Sequence, residues 1–258
     1  MSSPPDQSPS AEVRQPRSGR DQVFSDGASG RHDFAFNERV VRVFDDMVTR
    51  SVPFYLEIQR MMAELARDVV RPGGLVYDLG CSTGTTFLNL DAALPEDVRF
   101  VGIDNSEAML EQCRDNLREA GVTREVELRF GDLNLGVEMT DASLVVLCLT
   151  LQFVRPLYRE RLVRSIYEQM ADGGAVLLVE KVLGESSTFN RLFIEHYYDF
   201  KRRNDYSDME IAQKREALEN VLVPYKLEEN RQLLRDTGFR HVDVFFKWYN
   251  FTGIIALK

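Results

Sequence analysis

Between Val76 and Thr85 the chain reads Val-Tyr-Asp-Leu-Gly-Cys-Ser-Thr-Gly-Thr, an apolar run entering a turn with glycines at 80 and 84. Glycine there lets the backbone approach a ligand closely, and a helix start just after it offers unpaired N–H groups to a carboxylate or phosphate. The spacing is neither the G-x-G-x-x-G of dinucleotide binders nor the G-K-[ST] of a P-loop. Asp104 closes Val101-Gly102-Ile103-Asp104-Asn105, 24 residues past Gly80. An acid near that spacing typically accepts from both hydroxyls of a ribose. Asp132 closes Phe130-Gly131-Asp132-Leu133, close to where an adenine amino group would lie. Each aspartate alone also suits a helix N-cap or a turn. A loop and two acids at three successive strand ends point to a nucleoside, because ligands of open α/β sheets bind in that crevice.

The elements needed to hold these residues are legible in the apolar spacing. From Phe34 the period is helical through Val40, Val41, Phe44, Met47 and Val48, and after Pro53 it resumes from Phe54 to Val70. Arg71-Pro72-Gly73-Gly74 is a strong breaker. Beyond it, strands at about 75–79, 99–104, 126–130, 143–149 and 175–181 alternate with helices at about 84–92, 106–120 and 157–171. That alternation predicts a parallel, doubly wound α/β sheet. Residues 188–222 read as two helices and 228–237 as another, stopped by Gly238. The last runs, 241–248 and 251–257, are separated only by Tyr249 and Asn250 and must pair antiparallel, since a parallel crossover needs about a dozen residues. The expected fold is Rossmann-like and seven-stranded, with a C-terminal antiparallel hairpin and a helical lid at about 188–222.

Residues 1–32 hold Pro4, Pro5, Pro9 and Pro16, many serines and few apolar side chains, which predicts a disordered extension ahead of one domain over 33–258. With 32 Lys and Arg against 41 Asp and Glu, the net charge of −9 disfavours direct nucleic-acid binding. Cys81, Cys113 and Cys148 fit neither a disulfide framework nor a zinc site, and His32, His196 and His241 are too scattered for a metal triad. No metal is expected. No apolar run reaches the roughly 18 residues a spanning helix needs, and the N-terminus lacks the order of a secretory signal. A cytoplasmic protein without membrane contact is the expectation.

The loop and the two acids together resemble the class I adenosylmethionine-dependent methyltransferases. Further segments resemble one family, the carboxy-S-adenosyl-L-methionine synthases: Phe36-Asn37-Glu38-Arg39-Val40, Arg50-Ser51-Val52-Pro53-Phe54-Tyr55, Thr150-Leu151-Gln152-Phe153, Asp199-Phe200-Lys201-Arg202, Gln213-Lys214-Arg215 and Leu218-Glu219-Asn220-Val221. They run in the family's order from about residue 34 to the C-terminus. The resemblance implies that S-adenosyl-L-methionine is a substrate and prephenate its partner. The products are carboxy-S-adenosyl-L-methionine, phenylpyruvate and water, in support of wobble-uridine modification of transfer RNA. The route it implies removes a proton from the methyl beside the sulfonium and captures the carbon dioxide lost from prephenate, with bulk water kept out. It also implies a homodimer and a binding set of Tyr55, Gly80, Cys81, Ser82, Asp104, Asn105, Asp132, Leu133, Cys148 and Arg215.

A new carboxylate beside the sulfonium needs a cation, and arginine's planar fork suits it best. The family's carboxylate-binding arginine falls at Arg215, the expected catalytic residue, with Lys201 and Arg202 next in line; a solvated helix face is the competing reading of this basic stretch, which also holds Arg203 and Lys214. Asp78 is placed to orient the loop or to accept from the methionine ammonium through water, and Ser82 to donate to the same moiety. Cys148 stands where the family commonly has Asn, so a weak thiol replaces a donor and acceptor. Two other functions share this pocket: a conventional small-molecule methyltransferase and a noncatalytic binding subunit of a transfer-RNA-modifying enzyme. The Asp/Asn-Pro-Pro-Tyr motif of amino-methylating enzymes is absent, the segment reading Cys148-Leu149-Thr150-Leu151.

Overall fold

The computed structural model describes residues 13–24, 38–219 and 221–258. Residues 1–12 and 25–32 of the expected extension, and Phe36, Asn37 and Asn220 of the family segments, lie outside the described residues. Strands β1 (Leu75–Leu79), β2 (Arg99–Asp104), β3 (Val126–Phe130), β4 (Ala142–Cys148), β5 (Met170–Lys181), β6 (His241–Trp248) and β7 (Phe251–Leu257) form one sheet in the order β3-β2-β1-β4-β5-β7-β6. The first five run parallel, and β7 is antiparallel to both β5 and β6. The two-residue link to β7 turns with Tyr249 in the left-handed region, at φ 36°. Chain order reverses between β1 and β4, which opens a crevice beyond their C-terminal ends.

The helices are α1 (Glu38–Val41), α2 (Phe44–Ser51), α3 (Tyr55–Val69), α4 (Thr85–Ala93), α5 (Glu107–Glu119), α6 (Pro156–Gln169), α7 (Ser187–Arg203), α8 (Asp208–Leu218) and α9 (Leu227–Thr237). Successive strand residues point to opposite faces of the sheet, and both faces are covered. Val76, Leu144, Val146 and Leu177 pack with Ile58, Met62, Phe87 and Leu110 of α3, α4 and α5. Tyr77, Val145, Leu147 and Leu178 pack with Leu162, Ile166 and Leu234 of α6 and α9. The central strands β1 and β4 are therefore buried along nearly their whole length, whereas the edge strands β3 and β6 alternate.

Two elements differ from expectation. β5 begins at Met170, five residues before the predicted start: Ala142 pairs with Met170 and Leu144 with Ala175, so the intervening chain bulges out of the ladder at Gly173, whose φ is +77°. The second difference is residues 13–24, which are held against the domain rather than free. Arg14 and Asn89 exchange two hydrogen bonds of 2.9 Å, Gln15 Nε2 donates to the Asp45 backbone carbonyl at 2.9 Å, and the Tyr206 hydroxyl donates to Asp21 Oδ2 at 2.6 Å. Phe24 is buried, and Val23 packs on a small cluster with Val40, Val41, Met47 and Met109. Composition misses this because the segment is fastened mainly by polar contacts.

Candidate active site

At the sheet's C-terminal edge lies a cavity of about 770 Å³, and all ten expected binding residues line it: Tyr55, Gly80, Cys81, Ser82, Asp104, Asn105, Asp132, Leu133, Cys148 and Arg215. The turn after β1 carries a left-handed Gly80, at φ +84°, where an added Cβ would fall 2.5 Å from Thr150 Oγ1. Only glycine fits there. The turn is tied to β2, since the Gly80 amide donates to the Ile103 carbonyl at 2.7 Å and the Ser82 amide to Asp104 Oδ2 at 3.0 Å. Asp104 Oδ1 accepts from the Ser106 amide at 3.0 Å, and Ser106 caps α5. One carboxylate thus fixes two loops while lining the cavity. Burial raises the Asp104 pKa despite these donors, because little water reaches the charge.

A buried aspartate that sequence reading did not single out supports the other side of the turn. Asp45 Oδ1 on α2 accepts from the hydroxyls of Thr83 at 2.9 Å and Thr85 at 2.8 Å. Desolvation raises its pKa as well. Asp132 Oδ1 accepts from the Asn134 amide and its Nδ2, at 2.9 and 2.8 Å, so the strand-end acid is held in place beside buried Leu133. Asp78 does not line the cavity: it is buried behind the loop with Oδ1 unpaired, and burial lifts its pKa to about 7.

Tyr55, Gln59 and Cys148 meet on another wall. Gln59 Nε2 donates to Cys148 Sγ at 3.9 Å and to Thr86 Oγ1 at 3.5 Å, while burial pushes both the Tyr55 phenol and the Cys148 thiol upward. A thiol held neutral is a poor nucleophile. The Cys148 carbonyl accepts from Thr150 Oγ1 at 3.2 Å, at the strand end that borders the cavity.

Helices α7 and α8 supply the remaining wall, including Tyr197, Tyr198, Lys201, Lys214 and Arg215, and β5 adds Lys181. Arg215 is exposed at the end of α8 beside Tyr198, which raises its pKa further and keeps the guanidinium charged. Arg202 is elsewhere, paired with Asp199 at 2.7 Å and Asp208 at 2.8 Å on the surface, and Arg203 is exposed, so the solvated-face reading fits those two. It fails for Lys201 and Lys214, which are buried. The sequence signals for the missed Lys181 and Lys214 are slight: a cation at a strand's C-terminal end, and a lysine adjoining Arg215. Among the described residues no three His, Cys, Asp or Glu side chains converge to hold a metal, and no helix is long and apolar enough to cross a membrane.

Residues 76–174 match the family model described as Methyltransferase domain. The carboxy-S-adenosyl-L-methionine synthase of Methylococcus capsulatus is 58% identical over 240 residues, covering 93% of this chain and 99% of that protein. The synthase of Sulfurimonas denitrificans is 43% identical, covering 92% of this chain and 99% of its own length. Among solved structures, a SAM dependent methyltransferase from Aquifex aeolicus superposes with a TM-score of 0.58 at 14% identity, covering 86% of this chain and 99% of that one. The mitomycin 7-O-methyltransferase MmcR superposes at 0.57 and 14% identity, over 86% of this chain and 57% of that one. These two likenesses bear on the fold.

Proposed function

The chain belongs to the carboxy-S-adenosyl-L-methionine synthase family, and on that premise we propose that it converts S-adenosyl-L-methionine and prephenate into carboxy-S-adenosyl-L-methionine, phenylpyruvate and water. The atoms balance: prephenate gives up carbon dioxide and hydroxide, the S-methyl gives up a proton, the carbon takes the carbon dioxide, and hydroxide and proton leave as water.

The observation that carries this reading is a charged guanidinium on the cavity wall, beside Tyr198, in a pocket whose other contacts suit a nucleoside. Transfer of a bare methyl asks for no such group, whereas a carboxylate beside a sulfonium does. In this reading Asp104 accepts from the ribose, Asp132 and Leu133 border the adenine, and the Gly80–Ser82 turn and Tyr55 hold the sulfonium end. Helices α7 and α8 act as the lid that excludes water from the reactive carbon. The family assignment supports the rest of the proposal: a cytoplasmic homodimer whose product serves wobble-uridine modification of transfer RNA.

Incubation with S-adenosyl-L-methionine and prephenate tests the assignment. Mass spectrometry should show the carboxylated nucleoside and phenylpyruvate accumulating together. Methylated acid and adenosylhomocysteine without phenylpyruvate would instead identify an ordinary methyltransferase.

A further inference from the structure

Lys181 at the end of β5, Lys201 on α7 and Lys214 on α8 converge on one part of the cavity wall. The ammonium groups of Lys181 and Lys201 lie 5.0 and 4.6 Å from the centroid of the Tyr197 ring. That of Lys214 lies 5.5 Å from the Tyr206 centroid and donates to Ser51 Oγ at 3.4 Å. Lys201 is 5% exposed and Lys214 6%. Acids on the neighbouring elements are engaged elsewhere: Asp21 by Tyr206, Asp46 by Arg50, and Asp199 and Asp208 by Arg202.

A buried ammonium without an anion is costly, and Lys201 also feels the repulsion of Lys181 and Lys214. Two aromatic faces offset part of that cost in the free protein. The nucleoside contacts come from β1, β2 and β3, while the lysines come from β5 and the two helices that follow it. Resting on the carboxyl-transfer reading, we infer that Lys181, Lys201 and Lys214 form the subsite for a dicarboxylate donor, leaving Arg215 to the carboxylate of the product. The charged and titratable groups facing them are Asp21, Asp46 and Arg50, Tyr197, Tyr206 and Glu210. Burial depresses Lys181 and Lys214 to about 8, so a dianion entering at pH 8.5 draws protons onto the cluster.

The test uses the full chain and its Lys201→Met, Lys201→Arg and Lys214→Met variants. Each is titrated by calorimetry with malonate and separately with S-adenosyl-L-methionine, at pH 8.5 in two buffers of different ionisation enthalpy. Methionine replaces a buried charge with an apolar chain of similar length, so folding is preserved. Malonate affinity should fall more than tenfold in both methionine variants while that for S-adenosyl-L-methionine changes less than threefold. Proton uptake on malonate binding should shrink with it. The KM for prephenate should rise more than tenfold in Lys201→Met and partly recover in Lys201→Arg. Equal weakening of both ligands, or an unchanged malonate affinity and prephenate KM in both methionine variants, would overturn the subsite. Lysine-dependent malonate binding in a protein that makes no carboxylated product would uphold the subsite and remove the carboxyl-transfer reading.

Discussion

Asp104 holds two backbone amides at 3.0 Å, and a carboxylate has lone pairs left over for ribose hydroxyls. Replacing it with alanine removes charge-assisted hydrogen bonds worth about 1.5–3 kcal/mol, so calorimetry should show affinity for S-adenosyl-L-methionine falling by about ten- to a hundredfold. Unchanged affinity would remove the ribose assignment. Arg215 calls for a different comparison. Because it is exposed, its contact with a product carboxylate is screened by water, and Arg215→Ala should weaken carboxy-S-adenosyl-L-methionine by about ten- to a hundredfold, far less than loss of a buried pair would. The affinity for S-adenosyl-L-methionine should barely change, and similar losses for both ligands would assign Arg215 to the shared nucleoside. The wall formed by β1, β2 and β3 was legible because its residues sit at strand ends marked by glycine and aspartate. Lys181, Lys214 and Asp45 were not, because burying a charge is a tertiary event and nothing in local spacing distinguishes a buried lysine from a solvated one.

The turn between β1 and α4 shows what a single backbone position does for the site. At Gly80 the φ of +84° disfavours any side chain, and a Cβ would meet Thr150 at 2.5 Å. Gly80→Ala therefore combines backbone strain with overpacking, each about 1–3 kcal/mol. Gly121 has a similar φ of +72° with nothing within 4 Å, so Gly121→Ala should show the strain alone. Chemical denaturation should place Gly80→Ala well below Gly121→Ala in stability, and only Gly80→Ala should lose ligand affinity. Equal stabilities would mean that Thr150 moves aside freely. The same rules explain how much of the fold could be read. The βα alternation and the Tyr249-Asn250 hairpin follow from period and loop length, and both are present. The early start of β5 depends on its pairing with β4, and residues 13–24 depend on partners on α2, α4 and the α7–α8 turn, none of which is local in sequence.

Across the whole molecule, buried acids and buried lysines make opposite demands on pH. Burial raises Asp78 to about 7 and Glu180 to about 8, from ordinary values of 3.8 and 4.5. The folded state keeps protons that the unfolded chain has released, so the stabilisation these acids give is complete below about pH 4 and is lost as pH rises through 7 and 8. Lys181 and Lys214 shift the other way, from 10.5 to about 8, and Lys201 is lowered too. Above about 8 the unfolded chain holds more protons on these lysines, so stability rises with pH until, beyond about 9, the buried thiols and phenols, which the folded chain keeps protonated, oppose the rise. The two trends meet in a stability minimum near pH 8, with a limiting slope of about 1.4 kcal/mol per pH unit for each group. Urea denaturation of the wild type from pH 5 to 10.5 should trace that minimum. Glu180→Gln should flatten only the falling limb, and Lys214→Met only the rising one. Parallel curves for the wild type and both variants would show that these groups do not titrate with folding. A dicarboxylate binds the protonated lysines, so malonate should stabilise the protein most below about pH 8, where they are charged, and least at pH 10.5, where they are neutral.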